Sequence, residues 1–432
     1  MSDMDLKKIK KVHFIGIGGI GVSALARMML HEGKIVTGSD SGSSEITEEL
    51  KKIGALVFQG HKAEYVSTDV DLVVYTAAIP KDNTELTEAH KRNIPFLSYS
   101  EMLGLVSRDK KVIAVSGTHG KTTTTAMIAE SLIAGGLKPT VVVGSLLKNP
   151  RTNFISGEDE YFLTEADEYK KSFLSLSPFI VVITNIDLDH LDFYKDLADI
   201  QDAFSSLVAK IPAEGFLICN MKHPHLAPVI ERAKCKVIDY MSADIRGLTL
   251  KVPGIHNVEN ARAALCVGGV LDVSEGSLLR SLGDFEGAWR RFEYKGKTSS
   301  GALVYDDYAH NPQKVLAVIL GAKEKFPDKK ITIVFQPHLY SRTKLLFKEF
   351  TESLSKADHI ILTPIYSARE VFDPSISSDM LAEEIKKIHK NVISFAGIAD
   401  IEAYIKKTLT EVDVCLVVGA GDIYHVAQHV VV

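Results

Sequence analysis

VSGTHGKTTTT, residues Val115–Thr125, follows an apolar run typical of a buried strand and precedes AMIAESLIAGG, whose apolar spacing of three and four predicts a helix. A strand, a glycine turn and a helix start with lysine and threonines is how an α/β fold holds a polyphosphate. Lys121 adds a positive charge, and the Thr122 hydroxyl can ligate magnesium. The common phosphate loop has a glycine six positions before its lysine, but this chain has Val115 there, so the loop is a GTHGKT variant.

Composition limits the function classes. The 432 residues predict about two to four domains. A net charge of −5, from 50 basic and 55 acidic residues, argues against binding a nucleic acid polymer. The 4 cysteines include no CxxC pair, so neither a disulfide framework nor a zinc site is predicted. The chain has no long apolar span and no signal-like segment, so we expect a soluble cytoplasmic protein without membrane contact.

A second glycine motif stands near the N-terminus. Gly16-x-Gly18-x-x-Gly21 follows the strand-like run VHFIG, precedes a helix-like segment, and is followed by a strand that ends in Asp40. This spacing is typical of a dinucleotide-binding unit. The residues alone leave three interpretations open: a nicotinamide cofactor, another nucleotide, or a tight turn with no ligand. The small residues 76–78 would add backbone donors at a neighbouring strand end.

Acidic groups follow two further strand-like runs after the phosphate loop. YFLTEAD leads into Glu165-Ala-Asp167-Glu168, and FIVVITNI leads into Asp187-Leu-Asp189-His190. Carboxylates at strand ends beside a phosphate loop predict a magnesium site. The runs FLICN, KVIDY and LTLKVPG (residues 216–220, 236–240 and 248–254) read as further strands. The next helix begins near Asn257 and Asn260, for which the residues favour an N-cap over contact with a base.

The composition changes again after GAWRRFEYKGK. Residues 296–301, GKTSSG, predict a linker into a third α/β unit with a mostly parallel sheet. His310, His338 and Arg342 stand just past predicted strand ends, which makes them candidates for one site.

Taken in order, these motifs resemble the Mur ligases, ATP-dependent amide-forming enzymes of peptidoglycan precursor synthesis. The resemblance spans almost all 432 residues. Within the family, the chain looks most like the branch that joins L-alanine to UDP-N-acetylmuramate. The motifs that carry the resemblance are GIGGIGVSALA, GSD, GTHGKTTTTAM, EADE, TNIDLDHLDFY, GIHNVENARAA, RRFE, DDYAHNP, FQPHLYSRT, IYSARE and VGAGDI.

The resemblance implies three α/β domains, each a sheet with covering helices. Residues 1–106 would form a Rossmann-like domain for the UDP-sugar, residues 107–296 a P-loop-type ATPase domain, and residues 297–432 a Rossmann-like domain for the amino acid. The cofactors would be ATP and Mg²⁺, and the partners small molecules, with a monomer or homodimer as the assembly. The third domain would close over the reaction, with residues 296–301 as the hinge.

The resemblance also implies roles for individual residues. Lys121, Glu165 and His190 would be catalytic, and Thr122, Glu165 and His190 would ligate metal. The UDP-sugar would contact Gly16, Gly18, Gly19, Gly21, Asp40 and Ala77. ATP would contact Gly117, Thr118, His119, Gly120, Lys121, Thr122, Thr123, His256, Asn257, Asn260, Arg291, Asp307 and Tyr308, so the asparagines would meet adenine rather than cap a helix. The amino acid would contact His310, His338 and Arg342.

Several positions depart from the family pattern. Asn311 stands where DDYxHHP has its second histidine, and Leu339 where many members carry arginine. Lys170 and Lys171 follow EADE where small or acidic residues are frequent. Branches that add later amino acids use a modified lysine fifteen residues after the magnesium histidine; this chain has Ser205 there, which favours the alanine-adding branch.

Three alternatives remain at this point. A related ligase attaches a recycled tripeptide to UDP-N-acetylmuramate, although QPHLYSRT argues against it. An NAD-dependent oxidoreductase would use the first glycine motif but leaves GTHGKT and EADE unexplained. A non-catalytic nucleotide-binding relative is disfavoured because Lys121, Glu165 and His190 are retained.

Overall fold

The computed structural model describes residues 4–190, 193–368 and 370–432, and it contains three sheets in chain order. Leu191 and Asp192 of TNIDLDHLDFY and Arg369 of IYSARE lie outside the described residues. The three α/β sheets with covering helices confirm the predicted fold class. In the part of the chain described here, no helix is long and apolar enough to cross a membrane. All four cysteines are free thiols.

The first sheet is parallel, with the order β3-β2-β1-β4-β5. The order reverses between β1 and β4, and such a switch point opens a ligand crevice at the carboxyl ends of the two strands. Its strands and helices are β1 Lys11–Ile15, α1 Ile20–His31, β2 Ile35–Asp40, α2 Glu45–Lys52, β3 Leu56–Gln59, β4 Leu72–Tyr75, α3 Thr84–Lys91, β5 Phe96–Ser98 and α4 Tyr99–Val106.

The second sheet has the order β12-β11-β10-β6-β9-β7-β8 and is parallel except for β8 at its edge. The strand before the phosphate loop, β6, lies between β9 and β10, so three loops meet at one sheet edge. The elements are β6 Lys111–Ser116, α5 Lys121–Ala134, β7 Thr140–Val142, β8 Phe154–Ile155, β9 Tyr161–Glu165, β10 Pro178–Ile183, α6 Leu197–Val208, β11 Phe216–Cys219, α7 Ala227–Ile230, β12 Lys236–Asp239, α8 Ile255–Val270 and α9 Glu275–Asp284.

The third sheet has the order β13-β14-β18-β15-β16-β17, with β13 antiparallel to β14 and the other pairs parallel. Alternate residues of its strands pack into a core on each face; Ile333 and Val334 lie on opposite sides. The elements are β13 Glu293–Lys297, β14 Leu303–Asp307, α10 Pro312–Lys325, β15 Lys330–Phe335, α11 Tyr340–Leu345, α12 Phe347–Leu354, β16 His359–Leu362, α13 Ser378–Lys386, β17 Val392–Ser394, α14 Ile398–Thr408, β18 Asp413–Val418 and α15 Tyr424–His429.

The fold divides into two compact units. One comprises the chain up to Thr249 with Glu259–Phe285, and the other comprises Leu250–Val258 with Glu286–Val432. The first unit therefore holds the first two sheets, and the second unit holds the third sheet.

Three local predictions were wrong. Residues 296–301 are not a linker: they end β13 and turn the hairpin into β14, where the Thr298 amide donates to the Ala302 carbonyl (2.9 Å). Hairpin turns and linkers share a Gly/Ser/Thr composition, which explains the error. The run 248–254 forms neither helix nor strand. Helix α8 begins at Ile255, so neither Asn257 nor Asn260 is at its N-cap.

Candidate functional site

The phosphate loop follows β6 and is held by the loop after β10. Asn185 accepts from the Thr118 amide through its carbonyl (3.1 Å) and from the His119 amide through its side chain (2.9 Å). Gly117 and Gly120 have φ of +130° and +84°, which favour glycine. A Cβ at Gly120 would lie 2.7 Å from Asn260 Oδ1. The sequence thus folds into a tight glycine turn that ends at the N-terminus of α5, where first-turn N–H groups can receive an anion.

Lys121 is the cation of this turn. Its Nζ donates to the Gly117 carbonyl (2.6 Å) and lies 2.7 Å from Glu168 Oε2. The exposed fractions of the two side chains are 16% and 3%. Burial works against the Lys121 ammonium, but attraction to Glu168 and Asp167 outweighs it and raises the pKa of Lys121. The same burial raises the pKa of Glu168, and Lys121 opposes that rise. The pair therefore places a charged ammonium where a phosphate would bind.

The predicted metal ligands fall into two adjoining sets. Thr122 Oγ1 lies 3.1 Å from Glu165 Oε2, and Glu165 Oε1 accepts from the Gly144 amide (2.7 Å). His190 instead approaches Glu168, with Nε2 and Oε1 3.8 Å apart. Ligand atoms of His190, Glu168 and Asp167 all lie within 4.8 Å of one another. This second set is mainly carboxylate oxygen, which suits magnesium.

The asparagines of α8 occupy different surroundings. Asn260 Oδ1 accepts from the Thr124 hydroxyl of α5 (3.0 Å), which ties α8 to the phosphate-loop helix. Asn257 donates from Nδ2 to the Pro253 carbonyl (2.6 Å). His256 is exposed at the start of the helix.

The first glycine motif lines the switch point of the first sheet. Gly16 has φ +78°, and a Cβ there would lie 2.5 Å from Thr76 Cγ2 after β4. The Gly18 amide donates to Asp40 Oδ2 (2.8 Å). Gly19 precedes α1 as its N-cap, and a Cβ at Gly21 would lie 2.8 Å from the ring of Tyr99. Ala77 is exposed in the turn after β4. The crevice therefore has exposed backbone and a helix N-terminus, which suit a diphosphate.

The third sheet gathers the predicted amino-acid residues at one edge, because β14, β15 and β16 end there. The rings of His310 and His338 are 6.0 Å apart, and Arg342 Nη1 donates to His338 Nδ1 (3.2 Å). His310 Nδ1 lies 2.9 Å from the Tyr308 carbonyl. A carbonyl can only accept, so His310 carries a proton on Nδ1, and its Nε2 is an acceptor in the neutral ring. Burial, with nearby cations, holds the pKa of His310 well below its ordinary value.

The remaining predicted ATP residues of this unit lie beside Arg290. The Arg291 guanidinium lies 5.4 Å from the ring centre of Tyr308. Asp307 accepts from the amides of Phe292 and Ala309 (each 2.7 Å), so its carboxylate organises the local backbone. Buried Arg290 pairs with Asp306 (3.1 Å) and anchors the segment before Arg291.

Two departures from the family pattern have structural roles. Asn311 is the N-cap of α10, where its Oδ1 accepts from the Lys314 amide (2.9 Å) and Pro312 follows at the first helical position. Leu339 adopts φ +70°, and its amide donates to the Tyr366 carbonyl (2.9 Å). Lys170 and Lys171 also have positive φ, of 52° and 58°. Nothing in the structure explains why lysine is present at position 170.

Sequence reasoning missed several residues of these sites. Glu168 was grouped with the carboxylates predicted to hold magnesium, but its contact with Lys121 was not predicted. Asn185 was within TNIDLDH and follows β10, the strand that pairs with β6. Its position just after a predicted strand could therefore have marked it as a site residue. Tyr366 stacks on His338 with ring centres 5.7 Å apart. It belongs to the IYSARE motif, to which no role was given.

Comparisons with known proteins agree with this architecture. Three family models match: "Mur ligase family, catalytic domain" at residues 11–111, "Mur ligase middle domain" at residues 115–246 and "Mur ligase, glutamate ligase domain" at residues 290–421. A UDP-N-acetylmuramate–L-alanine ligase of Clostridium tetani is 44% identical, with 97% of both chains covered. One of Clostridium kluyveri is 43% identical, with 98% of both chains covered.

Solved structures of Mur ligases also match this chain. The crystal structure of UDP-N-acetylmuramate-alanine ligase MurC from Thermotoga maritima matches with a TM-score of 0.83 and 29% identity over 97% of both chains. A murein peptide ligase from Psychrobacter arcticus shares the fold, with a TM-score of 0.74 and 21% identity over 98% of both chains. The predicted resemblance is confirmed: the chain belongs to the Mur ligase family.

Proposed function

We propose that the protein joins L-alanine to the lactyl carboxylate of UDP-N-acetylmuramate, with conversion of ATP to ADP and phosphate, in peptidoglycan precursor synthesis in the cytoplasm. The observation that carries the proposal is the GTHGKT turn, where Lys121 lies between the Gly117 carbonyl and Glu168 at the shared edge of β6, β9 and β10. Relatives of that name at 44% and 43% identity support the choice of substrates.

In this proposal the lactyl carboxylate attacks the γ-phosphorus of ATP, ADP leaves, and an acyl phosphate forms. Carboxylate and triphosphate repel each other, and Lys121 offsets that repulsion when it exchanges Glu168 for phosphate oxygens. Thr122, Glu165, His190, Asp167 and Glu168 would hold magnesium, which would neutralise further charge on the phosphates.

The second half of the reaction needs an uncharged amine. The alanine nitrogen attacks the acyl carbonyl, the tetrahedral intermediate collapses, and phosphate leaves. His310 Nε2 is an acceptor in a neutral ring of low pKa, so it can orient the amine by accepting its N–H, while the departing phosphate takes the proton that the amine loses. His338 and Arg342 would bind the amino acid, and Arg291, Asp307 and Tyr308 the nucleotide.

We further propose the UDP-sugar contacts at Gly16, Gly18, Gly19, Gly21, Asp40 and Ala77, and adenine contacts at His256, Asn257 and Asn260. All strands of the first sheet precede residue 106, which supports a domain boundary near that residue. The third sheet takes in β13, which supports starting the third domain at Glu293 rather than after residue 296. We propose a monomer or homodimer as the working assembly.

A substrate panel tests the proposal. Purified protein with ATP, magnesium and UDP-N-acetylmuramate should release phosphate with L-alanine, and mass spectrometry should find the alanyl product. Preference for the tripeptide L-Ala-γ-D-Glu-meso-diaminopimelate would identify the recycling activity instead. Phosphate release that is independent of amino acids would contradict both.

A further inference from the structure

A fully buried carboxylate lies beside the glycine motif of the first sheet. Glu85, in the first turn of α3, has an exposed fraction of 0%. Its Oε2 lies 2.6 Å from His13 Nε2, and its Oε1 lies 2.8 Å from both Ser39 Oγ and His61 Nδ1. We call these four residues the Glu85 network. An ionised carboxylate can only accept, so His13 then has a proton on Nε2, and Nδ1 of the same ring lies 2.8 Å from the Thr37 hydroxyl.

Burying this charge costs free energy that the surroundings must offset. Three side-chain donors surround Glu85, and the Asn83 side chain caps α3 by accepting from the Glu85 amide (2.9 Å). The position in the first turn adds the favourable end of the helix dipole. An apolar core would hold the sheet together without such an arrangement, so the polar network calls for a reason beyond packing.

The network connects to the glycine motif through the last two residues of β2. The Ser39 carbonyl accepts from the amides of Gly16 (2.8 Å) and Ile17 (3.0 Å). The Asp40 carboxylate accepts from the Gly18 amide (2.8 Å). The shape of the turn therefore depends on where β2 ends, and the Ser39 side chain at this end is bonded to Glu85 and His61.

We propose that Glu85, with His13 and His61, is a positioning group for binding the UDP-sugar. It fixes the end of β2 so that Ser39 and Asp40 hold the glycine turn in the shape that receives the diphosphate. Glu85 acts through Ser39 rather than by touching the ligand. The inference rests on the proposed function, because it takes a nucleoside diphosphate sugar as the ligand of the first sheet.

Calorimetry on the full chain with UDP-N-acetylmuramate, with and without a non-hydrolysable ATP analogue, tests the proposal. Glu85→Ala should raise the Kd for the UDP-sugar by about tenfold or more, because a charge-assisted network is lost. The Kd for the ATP analogue should change by less than about twofold, because it binds another sheet. The matched control is Glu88→Ala, three residues along α3, whose carboxylate pairs with Arg92 at 2.6 Å outside the network; it should leave both constants unchanged.

Two more variants separate positioning from stability. Glu85→Gln should recover most of the affinity, because its oxygen accepts from Ser39 and His61 while its amide donates to His13 after that ring moves its proton to Nδ1. Ser39→Ala removes one hydroxyl and should weaken UDP-sugar binding even if Glu85→Ala does not fold. A lower Tm with unchanged UDP-sugar affinity in Glu85→Ala or Ser39→Ala would overturn this inference but leave the proposed function intact. Absence of UDP-sugar binding by the unaltered protein would overturn the proposed function as well.

Discussion

Lys121 shows how one residue combines structure and chemistry. Its ammonium is satisfied by the Gly117 carbonyl and Glu168, so the turn is held together by the group that would contact ATP. Because the ammonium is already held at the site, little reorganisation is needed when phosphate oxygens replace the carboxylate.

Lys121→Ala should lower kcat by about 10³-fold, since removal of one preorganised charge from a phosphoryl-transfer site costs this order. The Kd for UDP-N-acetylmuramate should stay within about twofold, because that ligand is assigned to the first sheet. Lys138→Ala, which removes an exposed lysine paired with Glu158, is the control and should leave kcat unchanged. A collapse of UDP-sugar affinity in Lys121→Ala would refute the assignment of ligands to sheets.

His310 provides a pH dependence with a definite sign. Its pKa in the folded protein is below the ordinary value of 6.5, mainly through burial. The unfolded chain therefore binds the proton first as pH falls, so the stability that neutral His310 supports is present above about pH 6.5 and lost below it. His310→Gln should flatten the fall of Tm between about pH 6.5 and 5, measured against the unaltered protein at each pH. An unchanged slope in His310→Gln would contradict this account.

At the scale of elements, parallel strands explain what the sequence could predict. Glu165, His310 and His338 were placed correctly at strand ends because apolar runs mark strands, and parallel strands end at a common edge. The contacts of the Glu85 network could not be predicted, because His13 and Glu85 are 72 residues apart and no local pattern joins them. The turn at 296–301 was mistaken for a linker because local composition does not reveal whether flanking strands pair.

Asn311 tests whether a departure from the family pattern is structural. Asn311→Ala should reduce the free energy of unfolding by about 1 kcal/mol, the usual effect of losing an N-cap, while Asn311→Asp should preserve it. Urea titration measures the difference. If stability is unchanged but the KM for L-alanine rises in Asn311→Ala, the side chain acts on the substrate instead of capping α10.

At the scale of the whole molecule, the first two sheets share one compact unit. Asn153, fully buried before β8, donates to the Ile20 carbonyl (2.6 Å) and to Ser23 Oγ (2.8 Å) in α1. Helix α1 begins at the first glycine motif, so Asn153 joins the proposed UDP-sugar site to the sheet that carries the phosphate loop. Its partner Ser23 is 130 residues away, which put this contact beyond sequence reasoning.

Asn153→Ala should lower kcat by about tenfold or more, because small displacements of two reacting groups are costly. The Kd values for ATP and UDP-N-acetylmuramate, measured separately, should each remain within about twofold. Arg151→Ala in the same segment removes surface ion pairs with Glu45 and Glu49 and should have little effect, because the Arg151 and Glu45 side chains are each 40% exposed. Equal losses in both variants would refute a specific role for Asn153.

The phosphate loop is proposed to activate the lactyl carboxylate as an acyl phosphate. Oxygen transfer tests it most directly: UDP-N-acetylmuramate labelled with ¹⁸O in the lactyl carboxylate is converted with ATP and L-alanine, and the released phosphate is analysed by mass spectrometry. We expect one ¹⁸O in each phosphate, because the carboxylate oxygen that attacks phosphorus leaves with it when the amine attacks carbon. Unlabelled phosphate would mean that ATP reacts with something other than the carboxylate, and would contradict the account.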